Sequence, residues 1–240
     1  MAPRKVTASG KPIAIYLEVG AQRTFACAVD WPGWARSGRD EESAIAALLE
    51  SAPRYAKIVS RTRLGFVLPA SPSALRVSER LSGNASTDFG APGAVPRADA
   101  KPLSDAERAR IVKLIEAAWG ALDEAVAGAR GVALSKGPRG GGRELDDIAR
   151  HVRDAEAGYR SALGWPFKAN AGASASAEQK GMRAAVLEGL AASARGEIPA
   201  KGPRGGTRWA PRQFARRLSW HAIDHAWEIE DRAGSGSSRR

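Results

Sequence analysis

The pattern of apolar and polar residues changes near residue 100. Before that point, short runs of β-branched and aromatic residues are separated by turn residues, which predicts a small sheet. The predicted strands or extended segments are 13–19, 24–29, 34–37, 64–68 and 74–81. Between the third and the fourth of them, apolar residues recur at helical spacing and predict a helix from the cap Asp40 to about Tyr55.

Beyond residue 100, apolar residues recur at helical spacing over four longer stretches that are separated by Gly and Pro. The first predicted helix follows Ser104, whose side chain is expected to form a capping box with Glu107. The other three predicted helices run over about 143–163, 176–194 and 211–232. Four amphipathic helices predict a four-helix bundle.

The predicted fold class is therefore α+β, with a small β-β-β-α-β domain followed by a four-helix bundle. A Pro/Gly/Ala-rich run separates the two parts and is typical of a linker. The predicted division is an N-terminal tail at 1–12, the small domain at 13–90, the linker at 91–102, the bundle at 103–232 and a disordered tail at 233–240.

Composition narrows the class of protein further. With 43% hydrophobic and 26% charged residues, the chain has enough apolar side chains to build a core. No run approaches the roughly 18–20 apolar residues that a membrane span needs, and no signal peptide is recognised, so we expect a cytoplasmic protein without a membrane partner. The single cysteine, Cys27, excludes an internal disulfide and a zinc site built from several cysteines, and we expect it to be a buried small hydrophobe.

Basic residues outnumber acidic ones, 37 to 26, for a net charge of +11 that is spread over both parts of the chain. Four arginines cluster at the start of the last predicted helix: Arg208, Arg212, Arg216 and Arg217. No nucleic-acid-binding motif accompanies them, so nucleic acid is not an expected partner. The octapeptide KGPRGGGR at 136–143 recurs as KGPRGGTR at 201–208, and each copy is either a flexible loop or a backbone concavity that binds anions.

All three histidines fall in predicted helices of the second part. His221 and His225 are one turn apart and project from the same stripe of a helix. His151 shares a face with apolar residues of another helix and is expected to point inwards. An imidazole there is costly unless its nitrogens are hydrogen-bonded or bind a metal. Core histidines bonded to a carboxylate or a backbone oxygen are the alternative, but a pair plus a third inward histidine favours a three-histidine metal site.

The segment RRLSWHAIDHAWEIED at 216–231, together with RHVRD at 150–154, resembles the DinB-like four-helix proteins, a family that includes mycothiol- and bacillithiol-dependent transferases. The resemblance covers about residues 103–232. It implies that His151, His221 and His225 bind a divalent metal, with water completing the coordination. Three neutral imidazoles suit zinc or nickel best, and iron or manganese as well.

A metal of this kind lowers the pKa of a bound thiol or water. The expected function is therefore a thiol transferase or a hydrolase that attacks a small electrophilic substrate, with a low-molecular-weight thiol as co-substrate in the first case. Asp224 and Glu228 flank the histidine pair and are candidates for orienting a ligand or acting as a base, and Asp147 is a candidate for orienting His151. Alternatively, these are ordinary helix-edge carboxylates paired with arginines.

Residues 13–59, with VDWPGW at 29–34 and GRDEES at 38–43, resemble the small domain of HicB-like antitoxins. This resemblance implies a module that masks a partner protein or helps to form oligomers, so a homodimer is compatible with it. Trp31 and Trp34 either line a cleft or simply pack around the Pro-Gly turn. Two classes of function remain open: a metal-dependent enzyme, and a non-catalytic binding or regulatory protein whose bundle is stabilised by metal.

Overall fold

The computed structural model describes residues 11–136, 142–167 and 174–237, with side chains to residue 234. The fold is mixed α+β, and a four-stranded sheet precedes the long helices. The chain divides into two compact units, Met1–Ala98 and Asp99–Arg240.

The sheet of the first unit has the strand order β3-β2-β1-β4. Its strands are β1 (Ile13–Val19), β2 (Thr24–Ala28), β3 (Ala35–Gly38) and β4 (Leu75–Ser82). The β1–β2 and β2–β3 pairs are antiparallel, whereas β4 runs parallel to β1. The β1–β4 register shifts after Ile15, where the hydroxyl of Ser78 donates to the Ile15 carbonyl oxygen at 2.8 Å.

The predicted segment 64–68 forms no strand. Arg63 and Gly65 both have positive φ, 56° and 72°, and two left-handed residues so close together interrupt an extended segment. The ring of Phe66 instead packs edge-on against Trp31 and Trp34, at centroid distances of 4.8 and 5.3 Å.

The helix predicted from Asp40 to about Tyr55 is divided in two, α1 (Glu41–Glu50) and α2 (Ala52–Val59). Asp40 caps α1 as predicted, since its carboxylate accepts the Ser43 backbone N–H at 2.8 Å. The break falls at Ser51 because Pro53 has no N–H to continue the helical ladder. The Trp34 indole donates to the Leu48 carbonyl and to Ser51 Oγ, so Trp34 is a packed core residue, 1% exposed.

After β4, the first unit has a short helix α3 (Ala85–Phe89). Three short segments of the chain, Ser60–Thr62, Pro72–Ala74 and Arg97–Ala100, are 3₁₀ turns. The last of these turns lies inside the predicted linker. Its Asp99, the first residue of the second unit, is 1% exposed and accepts through both carboxylate oxygens from Arg216 in the last helix of the same unit.

The second unit contains four long helices, and each begins within about two residues of its prediction. They are α4 (Asp105–Gly128), α5 (Leu145–Leu163), α6 (Ala175–Ala194) and α7 (Pro211–Ser237). α7 packs against each of the other three, and α6 also packs against α4 and α5. α7 extends to Ser237, so residues 233–237, which were predicted as part of a disordered tail, are helical; 238–240 lie outside the described residues.

The predicted capping box of α4 is present: the Glu107 N–H donates to Ser104 Oγ, and Oε2 of Glu107 accepts the Ser104 N–H at 3.0 Å. Hydrogen bonds from Ser104 and from Arg212 lower the pKa of Glu107 to about 2.

The second copy of the octapeptide forms a small turn in which Lys201 pairs with Thr207, whereas residues 137–141 of the first copy lie outside the described residues. Over the described part of the chain, no helix is both long and apolar enough to cross a membrane.

Candidate metal centre

The packing of α5 against α7 brings the three histidines together. Nε2 of His221 lies 3.3 Å from Nε2 of His151 and 3.2 Å from Nε2 of His225. One ring nitrogen from each histidine lies within 4.8 Å of the other two. Among the described residues, this is the group of His, Cys, Asp and Glu side chains arranged so that it can hold a metal ion.

The spacing of these nitrogens fits a common ion. Two imidazole nitrogens bound tetrahedrally at about 2.1 Å from one metal lie about 3.4 Å from each other. The separations of Nε2 of His221 from those of His151 and His225, 3.3 and 3.2 Å, are close to that value, and the three ligand nitrogens all lie within 4.8 Å of one another.

The protons of the three rings also fit a common cation. Nδ1 of His225 lies 2.7 Å from a carboxylate oxygen of Glu228, so in the neutral ring this nitrogen carries the proton and Nε2 has the lone pair. The Nε2 of His221 has one proton at most and therefore cannot donate to both neighbouring rings. Its Nδ1 is buried without a hydrogen-bond partner. A cation between the three Nε2 atoms would bind all three lone pairs at once.

Burial favours the neutral form of His221 and His151, which is the form that binds a metal. His221 is 6% exposed, and burial, followed by the neighbouring histidines and arginines, lowers its pKa to about 2. Burial also lowers the pKa of His151, with Arg143 as the next cause. Neither ring has to lose a proton before it binds a metal at neutral pH.

Glu228 connects the centre to the C-terminal part of α7. Its Oε2 faces Nδ1 of His225, and its Oε1 accepts from Nη1 of Arg232 at 2.9 Å. The hydrogen bond with His225, and after it the contact with Arg232, lower the pKa of Glu228. Glu228 therefore makes both of the contacts considered from the sequence: it contacts the candidate ligand His225, and it pairs with Arg232. With both oxygens engaged, the geometry favours an orienting role over that of a base.

The other two candidate carboxylates are placed differently. Asp147 forms an exposed ion pair with Arg150, so the hypothesis that it orients His151 is replaced by its alternative, a helix-edge pair. Asp224 is half-buried on α7, and a role for it as a base stays a prediction.

Three neighbours of the centre were not singled out from the sequence as site residues. The ring of Tyr159 lies 5.6 Å from that of His221, and it stacks on Trp209 at 5.5 Å. Arg217 lies over the Tyr159 ring at 5.6 Å. Arg217 precedes His221 by one turn of α7, and Tyr159 follows His151 by about two turns of α5, so helical spacing could have found both. Trp209 lies outside the helices, so helical spacing does not point to it.

The arginine cluster at the start of α7 is engaged within the second unit. Arg208 donates to the Pro199 carbonyl, Arg212 donates to Glu107 and to the carbonyls of Lys101 and Pro102, and Arg216 bonds to Asp99. Their spacing in the sequence therefore reflects contacts inside the unit.

In the first unit, Cys27 is buried in β2, as expected of a small hydrophobe.

Comparisons of the chain with protein families, with characterised proteins and with solved structures gave no match. The case for a function therefore depends on the residues and their geometry.

Proposed function

We propose that the second unit is a metal-dependent enzyme of the DinB-like class, built as a four-helix bundle, with His151, His221 and His225 as the ligands of one divalent metal. The observation that carries this proposal is the convergence of the three Nε2 atoms, one of them on the buried ring of His221. Zinc or nickel suits three neutral imidazoles best, and iron or manganese is compatible.

When bound, such a metal supplies a Lewis acid that makes a coordinated thiol or water nucleophilic at neutral pH. The chain prepares the ligands. Glu228 holds the proton of His225 on Nδ1 and leaves Nε2 to face the centre. Burial keeps His221 neutral. Tyr159 borders the centre beside His221 and limits the space there for a small electrophilic substrate.

Metal analysis tests whether the three histidines bind a metal. Protein purified without chelators should carry about one divalent metal per chain, and His221→Ala should lose it. Ser219→Ala is the matched control, because Ser219 is also a buried polar residue of α7 without a partner at its hydroxyl, and this variant should keep the metal. A wild-type protein that carries no metal and gains no thermal stability from zinc, nickel, iron or manganese would overturn the proposal.

A turnover assay tests whether the metal-loaded protein is an enzyme. The metal-loaded protein is mixed with monochlorobimane and one of several low-molecular-weight thiols, and the fluorescent conjugate is followed over time. Faster conjugation than in His225→Ala supports a thiol transferase. Hydrolysis of activated esters or amides without added thiol supports the hydrolase.

The alternative is a non-catalytic binding or regulatory protein in which the metal stabilises the bundle. The engagement of both Glu228 oxygens favours it, since this carboxylate already holds two donors. Stoichiometric metal without turnover of any substrate tried would support this alternative over the enzyme.

We also propose that the first unit is a HicB-like module that binds a partner or a second copy of the chain. The order of its elements, three strands, a helical segment and a fourth strand parallel to the first, supports this proposal. Light scattering on the full chain tests the homodimer, and a monomer at high concentration would contradict it.

A further inference from the structure

The guanidinium of Arg232 lies at the far end of a hydrogen-bonded chain that starts at His225. Arg232 follows His225 by two turns of α7 and is 6% exposed. Its Nη1 donates to Oε1 of Glu228 at 2.9 Å, and Oε2 of the same carboxylate faces Nδ1 of His225 at 2.7 Å. A single carboxylate thus connects Arg232 to one of the three histidines.

Two other contacts fix the guanidinium in place. Its Nε donates to the carbonyl oxygen of Ser135 at 2.8 Å, and the Ser135 N–H donates back to the carbonyl oxygen of Arg232 at 3.0 Å. Gly142 lies against the other side, where a Cβ would be 2.6 Å from Nη2. The cation is therefore held by neighbours other than Glu228, and it offers the carboxylate a fixed donor.

Glu228 needs such a donor to keep its orientation. Its side chain is 32% exposed and has several rotatable bonds, so a single hydrogen bond to a neutral imidazole leaves a competing, solvated rotamer available. A charge-assisted bond to a buried arginine is stronger and holds Oε1, which directs Oε2 at the ring. A carboxylate at Nδ1–H fixes the tautomer of a histidine and makes its Nε2 a better ligand.

We propose that Arg232 is a positioning residue of the metal centre, which fixes the Glu228 carboxylate against Nδ1 of His225 and thereby presents Nε2 of His225 to the metal. This inference rests on the proposed function, because it concerns the same three histidines. Arg232 acts through Glu228, so the effects of removing the two side chains should not multiply.

A double-mutant cycle tests this dependence. Zinc dissociation constants of the full chain are measured by competition with a chromophoric chelator for wild type, Arg232→Gln, Glu228→Ala and the double variant. We expect binding about 10-fold weaker for Arg232→Gln, about 10- to 100-fold weaker for Glu228→Ala, and no further loss in the double variant. Unchanged zinc binding in Arg232→Gln, or effects that multiply, would overturn the inference.

Arg212→Gln is the matched control. Arg212 is also an α7 arginine that bonds to a glutamate and to backbone carbonyls, but its partners are Glu107, Lys101 and Pro102, not a neighbour of the histidines. Its removal should leave zinc affinity within about 2-fold of wild type. Thermal melting of every variant shows whether it is folded.

A second measurement, on metal-free protein, separates positioning from simple stabilisation. Nitrogen-15 NMR of the histidine rings should show His225 as the Nδ1–H tautomer in wild type and in Arg212→Gln, and a mixture of tautomers in Arg232→Gln. Gly142→Ala keeps every charge but displaces the guanidinium, and it should reproduce the mixture. A purely structural role would lower the melting temperature without changing the tautomer, and that result would overturn the inference.

The two readouts also separate this inference from the proposed function. If wild type binds zinc but neither affinity nor tautomer changes in Arg232→Gln, the positioning role fails and the metal centre stands. If wild type binds no metal while the tautomer of His225 changes in Arg232→Gln, the metal centre fails and the positioning of His225 by Arg232 stands.

Discussion

Nε2 of His221 lies 3.2 Å from Nε2 of His225, one turn further along α7. The two rings meet at nearly right angles, 89°, with centroids 4.6 Å apart. When the neutral ring of His225 donates its Nδ1 proton to Glu228, its Nε2 can only accept a hydrogen bond or bind a cation. In contrast, Nδ1 of His221 is buried and has no hydrogen-bond partner.

The first prediction follows from the missing hydrogen bond at Nδ1 of His221. A buried polar nitrogen without a partner costs about 1–3 kcal/mol, and a leucine fills a similar volume without that cost. His221→Leu should therefore leave the metal-free protein as stable as wild type, or stabilise it by about 1 kcal/mol, while abolishing any stabilisation by zinc. Calorimetry with chelator and then with zinc measures both effects. A large loss of stability in the presence of chelator would contradict the prediction.

The second prediction concerns the buried ion pair between Asp99 and Arg216. The carboxylate is 1% exposed, and its closest contact with the guanidinium is 2.6 Å. Asp99→Ala removes the charge that neutralises a mostly buried arginine, and this should lower the free energy of unfolding by about 3 kcal/mol. Urea denaturation measures it. Glu197→Gln, which removes an exposed partner of Arg195, should have no measurable effect, and equal losses in both variants would contradict the argument.

The third prediction is a pH dependence that arises at Glu156. This carboxylate is 4% exposed and accepts the Trp119 indole N–H at 2.7 Å. Burial raises the pKa of Glu156, and this effect outweighs the opposing ones of that hydrogen bond and of Arg183. The folded chain therefore holds the proton more tightly than the unfolded chain. The stability that this proton provides is complete below the ordinary pKa of a glutamate and is lost as the pH rises through the folded-state pKa.

Glu156→Gln tests that dependence, because its amide oxygen still accepts from Trp119 but never ionises. The melting temperatures of the variant and of wild type should be similar near pH 4, and the variant should become the more stable of the two as the pH rises to 8. A variant that is less stable than wild type at pH 8 would show that the ionised carboxylate is needed by Arg160 and Arg183.

The fourth prediction concerns the turn between β3 and α1. A Cβ on Gly38 would lie 2.5 Å from the backbone carbon of Ser43, and backbone cannot move aside as a long side chain can. Gly38→Ala should destabilise the first unit by about 3 kcal/mol. Gly65→Ala is the control: Gly65 has a φ of 72° but open space around its Cβ position, so the cost should be about 1 kcal/mol. Calorimetry of the full chain compares them, and equal costs would contradict the steric argument.

Local patterns were sufficient for most elements of the fold. The caps Asp40 and Ser104 were recognisable because a cap and its partner lie within one turn of each other. Ser104 forms the predicted capping box with Glu107, and Asp40 forms a box with Ser43 that was not predicted. The segment 64–68, predicted as a strand or an extended segment, forms no strand. Apolar composition does not reveal the backbone conformation of Arg63, and Phe66 packs against aromatic rings that lie far from it in the sequence.

Helical periodicity alone places His221 and His225 on one stripe of a helix, because side chains four residues apart lie on the same face. The same spacing places Glu228 and Arg232 on this stripe, although only Glu228 was singled out from the sequence as a site residue. The approach of His151 to the pair through Nε2 could not be predicted from periodicity, because the rotation and the position of α5 against α7 depend on the packing of the whole unit. The contact of Arg232 with Ser135 was decided in the same way, since it joins α7 to a segment that helical periodicity does not describe.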